Sequence, residues 1–165
     1  MFQSGEFVVY GAHGVCRVAG VEKQLVNRKR TEFLVLEPIT HPESKYFVPT
    51  QNPAAISKVH PVLTRGELTA LLQSSGIRSD CVLQEENLRK QQYRDLITGG
   101  DRVAIVKMIY SLYRYREQQT AAGRKFHQCD DNFLRDAERL ISSEIALVME
   151  MTADEARSYL REQLK

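Results

Sequence analysis

Two hydrophobic periods divide this 165-residue chain, and a segment patterned for one does not settle in the other. From Phe2 to Pro53 the apolar residues form short β-type runs. These are Phe7-Val8-Val9-Tyr10, Gly14-Val15-Cys16-Arg17-Val18, Phe33-Leu34-Val35-Leu36 and Tyr46-Phe47-Val48, each bounded by glycine, proline or polar clusters. From Thr64 onward the apolar residues recur at three- and four-residue steps, and no proline follows. The pattern predicts an α+β protein of two domains, a β module over 1–60 and an all-α module over 64–165. Two modules of different kind suit an adaptor that grips two things.

The strands predicted in the β module are short. Phe7–Tyr10 leads through a turn bracketed by Gly11 and Gly14 into a second strand that ends at Val21. Asn27-Arg28-Lys29-Arg30 reads as a charged hairpin tip, serving solubility or, as the minority reading, phosphate binding. The third strand, Glu32 to Glu37, is nearly continuous in apolar character and is expected to be central, with Pro38 closing it. Lys45–Pro49 and Ile56–Val59 complete a set of five, and short strands with tight turns favour a small, highly bent barrel.

Helix signals follow in order. Thr64-Arg65-Gly66-Glu67 is a capping box ahead of Leu68, and Gly76 is a stop. Further helices are expected from Leu83 to Ile97, from Asp101 to about Gly123, from about Asp131 to Met149, and after the cap Thr152-Ala153-Asp154-Glu155. Charge is uneven along them. Residues 87–125 hold nine Lys/Arg against three acids, whereas 126–165 hold nine acids against five Lys/Arg. Either the helical module has one positive face or these charges solvate amphipathic helices. Lys107, Tyr110 and Arg114 share one helix edge, where cations can neutralise phosphates; alternatively Tyr110 and Tyr113 belong to the core.

Signals of catalysis are sparse. The chain has no G-x-S-x-G elbow, no phosphate-cradling glycine loop and no H-E-x-x-H. His13 reads as a loop histidine, and Cys16, three residues on, points to the opposite face. His127-Gln128-Cys129-Asp130 lacks the second cluster that a zinc site needs. Cys16, Cys81 and Cys129 form no pairing framework and read as reduced thiols of a cytoplasmic protein. No run nears the roughly twenty apolar residues of a membrane span, and Gln3, Ser4 and Glu6 interrupt any secretory signal. No enzyme activity, metal or cofactor is expected.

Several short motifs stand together in order: Phe2-Gln-Ser-Gly5-Glu-Phe-Val-Val-Tyr10-Gly-Ala-His13-Gly14, Glu32-Phe-Leu-Val-Leu36, Phe47-Val-Pro49-Thr-Gln-Asn52 and Arg139-Leu-Ile-Ser-Ser-Glu144-Ile-Ala-Leu147. In them the chain resembles the CarD/CdnL proteins, bacterial regulators of transcription that bind RNA polymerase. The resemblance implies an SH3/Tudor-like module docking on the polymerase β subunit. It also implies a helical domain that meets promoter DNA at the upstream edge of the bubble. Strand addition at a sheet edge is a sensible docking mode, with Glu22, Lys23, Gln24, Tyr46, Phe47 and Val48 as candidate edge residues.

For DNA, Arg89 matches the family pattern and Lys90 lies beside it. Lys107, Arg114, Arg124 and Lys125 are added on electrostatic grounds. Contact with promoter DNA is expected to be weak and largely independent of sequence. Two departures stand out. Glu86 occupies the place of a family tryptophan that wedges the opened DNA, and Gln24 and Phe47 stand where family members carry arginines. The alternative reading is a protein-interaction adaptor that binds no DNA.

Overall fold

The computed structural model describes residues 2–78 and 85–165. Cys81 and the expected helix start at Leu83 lie outside the described residues. The chain splits into two compact units, Met1–Val62 and Leu63–Lys165.

The first unit is a five-stranded antiparallel sheet of β1 (Phe7–Tyr10), β2 (Val15–Val26), β3 (Lys29–Pro38), β4 (Tyr46–Pro49) and β5 (Val59–Pro61), in the order β4-β3-β2-β1-β5. β3 is paired on both sides, as its apolar run predicts. β2 and β3 extend further toward each other than the sequence indicates, reaching Val26 and starting at Lys29. The cause is the turn: Asn27 and Arg28 both take left-handed φ, 50° and 64°. That is the pattern of a two-residue type I′ hairpin, whose twist matches the flanking strands. Lys29 and Arg30 therefore belong to β3.

The fifth strand lies later than the expected Ile56–Val59. Asn52 caps a single helical turn, α1 (Pro53–Ile56), accepting from the Ala54 and Ala55 N–H groups with Pro53 inside the start, and this turn takes up Ile56. Val8, Cys16, Val18, Leu34, Leu36, Val48 and Val59 form the core on one face of the sheet. Burial pushes the Cys16 thiol up to about 12, which leaves it an inert packing group.

The second unit comprises α2 (Arg65–Gln73), α3 (Glu86–Gly99), α4 (Arg102–Ala121), α5 (Gln128–Met149) and α6 (Ala153–Gln163). Thr64 with Glu67 and Thr152 with Glu155 form reciprocal capping boxes, and Asp101 caps α4. α5 begins three residues before the expected Asp131. Its buried stripe, Leu134, Ala137, Ile141 and Ile145, meets Leu72, Ile97, Ile109, Leu112 and Leu160 in one core.

α5 also carries three buried carboxylates. Asp130 receives Arg89 of α3, Glu138 receives Tyr113 of α4 and Arg161 of α6, and Glu144 receives Arg102 of α4 and the Leu63 N–H. Each buried acid is thus matched by a donor from a neighbouring element, as burial of charge requires.

Candidate interaction surfaces

The exposed edge of β4 is one candidate. Along its four residues Val48 is fully buried and Tyr46 half-buried on the core side, while Phe47 turns outward and is 42% exposed. Phe47 lies opposite Val35 in the ladder and meets Phe33 edge-on, with ring centroids 6.2 Å apart. Phe33 in turn is paired with Glu22 of β2. Paired residues share a face, so Phe47, Val35, Phe33, Glu22 and Gln24 line the outer face of the sheet. An aromatic pair on an outer face beside a free strand edge is suited to protein docking.

The six edge residues read from the sequence therefore separate. Glu22, Gln24 and Phe47 belong to the outer face. Lys23 points to the opposite face, with Tyr46. Val48 has no exposed surface, so its side chain holds the core and reaches no partner. The two expected edges also lie on opposite sides of the sheet. β4 is its end strand, whereas Glu22–Gln24 have their free flank toward β1. No single straight strand can pair with both. Phe33 was missed in the sequence because an apolar residue in a central strand reads as core.

On the core side of β4, Tyr46 packs on His13 at 4.2 Å and His13 stacks on Tyr10 at 5.1 Å. Burial, and then the nearby Lys58, lower the His13 pKa and favour the neutral ring. The ring holds the turn after β1 against β4.

The cations of the helical unit are not one surface. Arg89 is 4% exposed and grips Asp130 through two bonds of 2.9 Å, with its guanidinium 5.6 Å from the Tyr115 ring. The bond to Asp130 raises the Arg89 pKa further. A buried guanidinium held by a carboxylate is not available to phosphate, which corrects the expectation for Arg89. Lys90 pairs with Glu86 at 2.9 Å, and that bond lowers the Glu86 carboxyl and raises the Lys90 ammonium. Glu86 opens α3 behind the cap residue Glu85, and the nearby Leu88 is 61% exposed.

Lys107 lines a hollow of about 230 Å³ with Gln92, Tyr93, Leu96 and Met108. Arg114 lies over Tyr110 at 5.9 Å, the shared edge expected from their spacing, while Tyr113 is in the core. Arg124 and Lys125 are exposed after α4. Lys107, Arg114, Arg124 and Lys125 remain accessible candidates.

Among the described residues no cluster of His, Cys, Asp and Glu could hold a metal ion, and no helix is long and apolar enough to cross a membrane. Residues 2–60 match the family model of the CarD-like/TRCF RID domain. No curated protein matches the chain. The match covers nearly all of the β unit, which is thus similar to a CarD-like/TRCF RID domain, and the helical unit lies outside it.

Proposed function

We propose that this chain is a non-enzymatic bacterial transcription regulator of the CarD/CdnL kind, working in the cytoplasm on nucleoid-bound RNA polymerase. Its β unit docks on the polymerase β subunit, and its helical unit contacts promoter DNA near the upstream edge of the bubble. The observation that carries this reading is the coincidence of the CarD-like/TRCF RID match with the β unit. That domain type is an RNA-polymerase-interacting one.

The docking face favoured by the geometry is β4 with Phe33 and Phe47. Backbone pairing at the β4 edge supplies affinity, and the aromatic pair beside it supplies an apolar anchor. Phe47→Arg places a charge in this patch and should weaken retention on immobilised β subunit at least tenfold, about 1.4 kcal/mol. Unchanged retention by a folded variant would move the interface off this face.

The adaptor reading, without DNA, has one observation in its favour: Arg89 is buried against Asp130, while Lys90 and Arg114 share only surface ion pairs, with Glu86 and Glu117. Lys107→Gln with Arg114→Gln decides between them. A flatter salt dependence of binding to duplex DNA supports phosphate contact by α4, an unchanged one moves the contact to other cations, and a parent chain that does not bind the duplex supports the adaptor.

A further inference from the structure

The hairpin formed by the far ends of β2 and β3 is an arm that the packing of the β unit does not explain. Among the described residues, hydrogen bonds to the outer flank of β2 stop at Ala19, and those to the outer flank of β3 stop at Glu32. Beyond them the ladder continues from Lys23↔Glu32 to Val26↔Lys29 as a two-stranded ribbon. Four pairs at about 3.4 Å each extend it by roughly 14 Å. Every residue from Val21 to Arg30 is exposed.

From Lys23 to Thr31 the arm carries four cations, Lys23, Arg28, Lys29 and Arg30, and its acids, Glu22 and Glu32, stand at the foot, with Glu32 directly across from Lys23. Among the described residues none of the four forms an ion pair. The ladder fixes their directions. Arg30 is paired with Leu25 and shares its face with Lys23, Lys29 is paired with Val26 on the other face, and Arg28 occupies the turn itself. Positive charge thus covers both faces and the tip.

Leu25 is 72% exposed on one face and Val26 40% on the other, so each face also offers an apolar side chain. An acidic protein surface would meet one face of such a ribbon. A duplex groove presents phosphates on both walls, and the major groove, about 12 Å wide, admits a two-stranded ribbon and offers thymine methyl groups to apolar side chains.

We propose that this β2–β3 arm is a nucleic-acid-binding ribbon that seats in the major groove of duplex DNA, with Arg28, Lys29 and Arg30 neutralising phosphates on its two walls. Its foot adjoins the docking face at Gln24 and Thr31, whereas Arg28, Lys29 and Arg30 lie at the tip, so tip variants are read for polymerase retention and for DNA binding separately. The test uses the full chain and a fluorescent duplex of mixed sequence, followed by anisotropy as salt is raised. Arg28→Asn, chosen because asparagine tolerates left-handed φ, is combined with Lys29→Gln and Arg30→Gln.

Loss of three phosphate contacts should flatten the log–log salt slope by about 2.7. Over a rise from about 50 to 200 mM salt, the variant's affinity should then fall about fortyfold less than the parent's. Retention on immobilised β subunit should be unchanged. A charge-keeping variant, Arg28→Lys with Arg30→Lys, should hold the parent slope, and Arg30→Gln alone should flatten it by about 0.9 should the triple variant misfold. The proposal is overturned by a parent that binds the duplex without salt dependence, or by arm variants that leave the slope intact. It is also overturned by variants that lose the β subunit with the slope intact, which would assign the tip to an acidic protein surface.

Discussion

Arg89 contributes to stability through a partner that lies 41 residues along the chain, Asp130. Both side chains are withdrawn from water, at 5% and 1% exposure, and each satisfies the other through two parallel bonds. Removing one side leaves an uncompensated charge in the helical core. Arg89→Ala is therefore expected to cost roughly 3–5 kcal/mol in urea unfolding, whereas a paired replacement by apolar residues, Arg89→Met with Asp130→Leu, should restore most of it. The same Arg89→Ala change should leave the salt slope of DNA binding where it was. A variant that loses DNA affinity at full stability would instead return Arg89 to the phosphate-contact list.

At the scale of elements, the start of α3 is where the proposed DNA role is most exposed to test. Glu85 accepts from the Asn87 and Leu88 N–H groups, Glu86 is held by Lys90, and Leu88 stands out in solvent. Glutamate offers no face to stack on an unpaired base, whereas an aromatic ring there is worth about 1–3 kcal/mol. Glu86→Trp should lengthen the lifetime of open promoter complexes about tenfold if about 1.4 kcal/mol is recovered, read by competitor challenge. A shorter lifetime would show that the Glu86 carboxylate itself takes part.

Elements whose signals are local were legible in the sequence. Thr64 finds Glu67 three residues on, Thr152 finds Glu155, and Asp101 reaches the Val103 N–H, so each start could be read from a few letters. The length of the β2–β3 arm was not legible, because Asn27-Arg28 lacks the glycine that usually marks a primed turn. The fate of Arg89 was hidden for another reason. A cation on a helix looks solvated until the fold brings up its distant acid. Glu86–Lys90, a pair four residues apart on one helix, is by contrast a local signal that the spacing alone carries.

At the scale of the molecule, each unit has its own apolar core, Val8 to Val59 in the first and Leu68 to Leu164 in the second. Expressed separately, residues 1–62 should fold and retain binding to the polymerase β subunit, with residues 63–165 contributing nothing to that retention. A pull-down with the two halves checks this, and capture of β subunit by the second half alone would reverse the assignment. The sixty-odd residues of the first unit are near the lower size for a single stable core, so its isolated form should be the less resistant to urea.

The three carboxylates along α5 have a consequence for how this sequence can vary over time. Asp130, Glu138 and Glu144 each answer a donor on another helix, so no one of these positions is free to change alone. Losing Arg89 without Asp130 strands a buried charge, and losing both together is nearly neutral. Drift in the helical unit is thus channelled into double steps at positions far apart in the chain. Such a unit can keep its shape while these positions change in couples, donor together with acceptor.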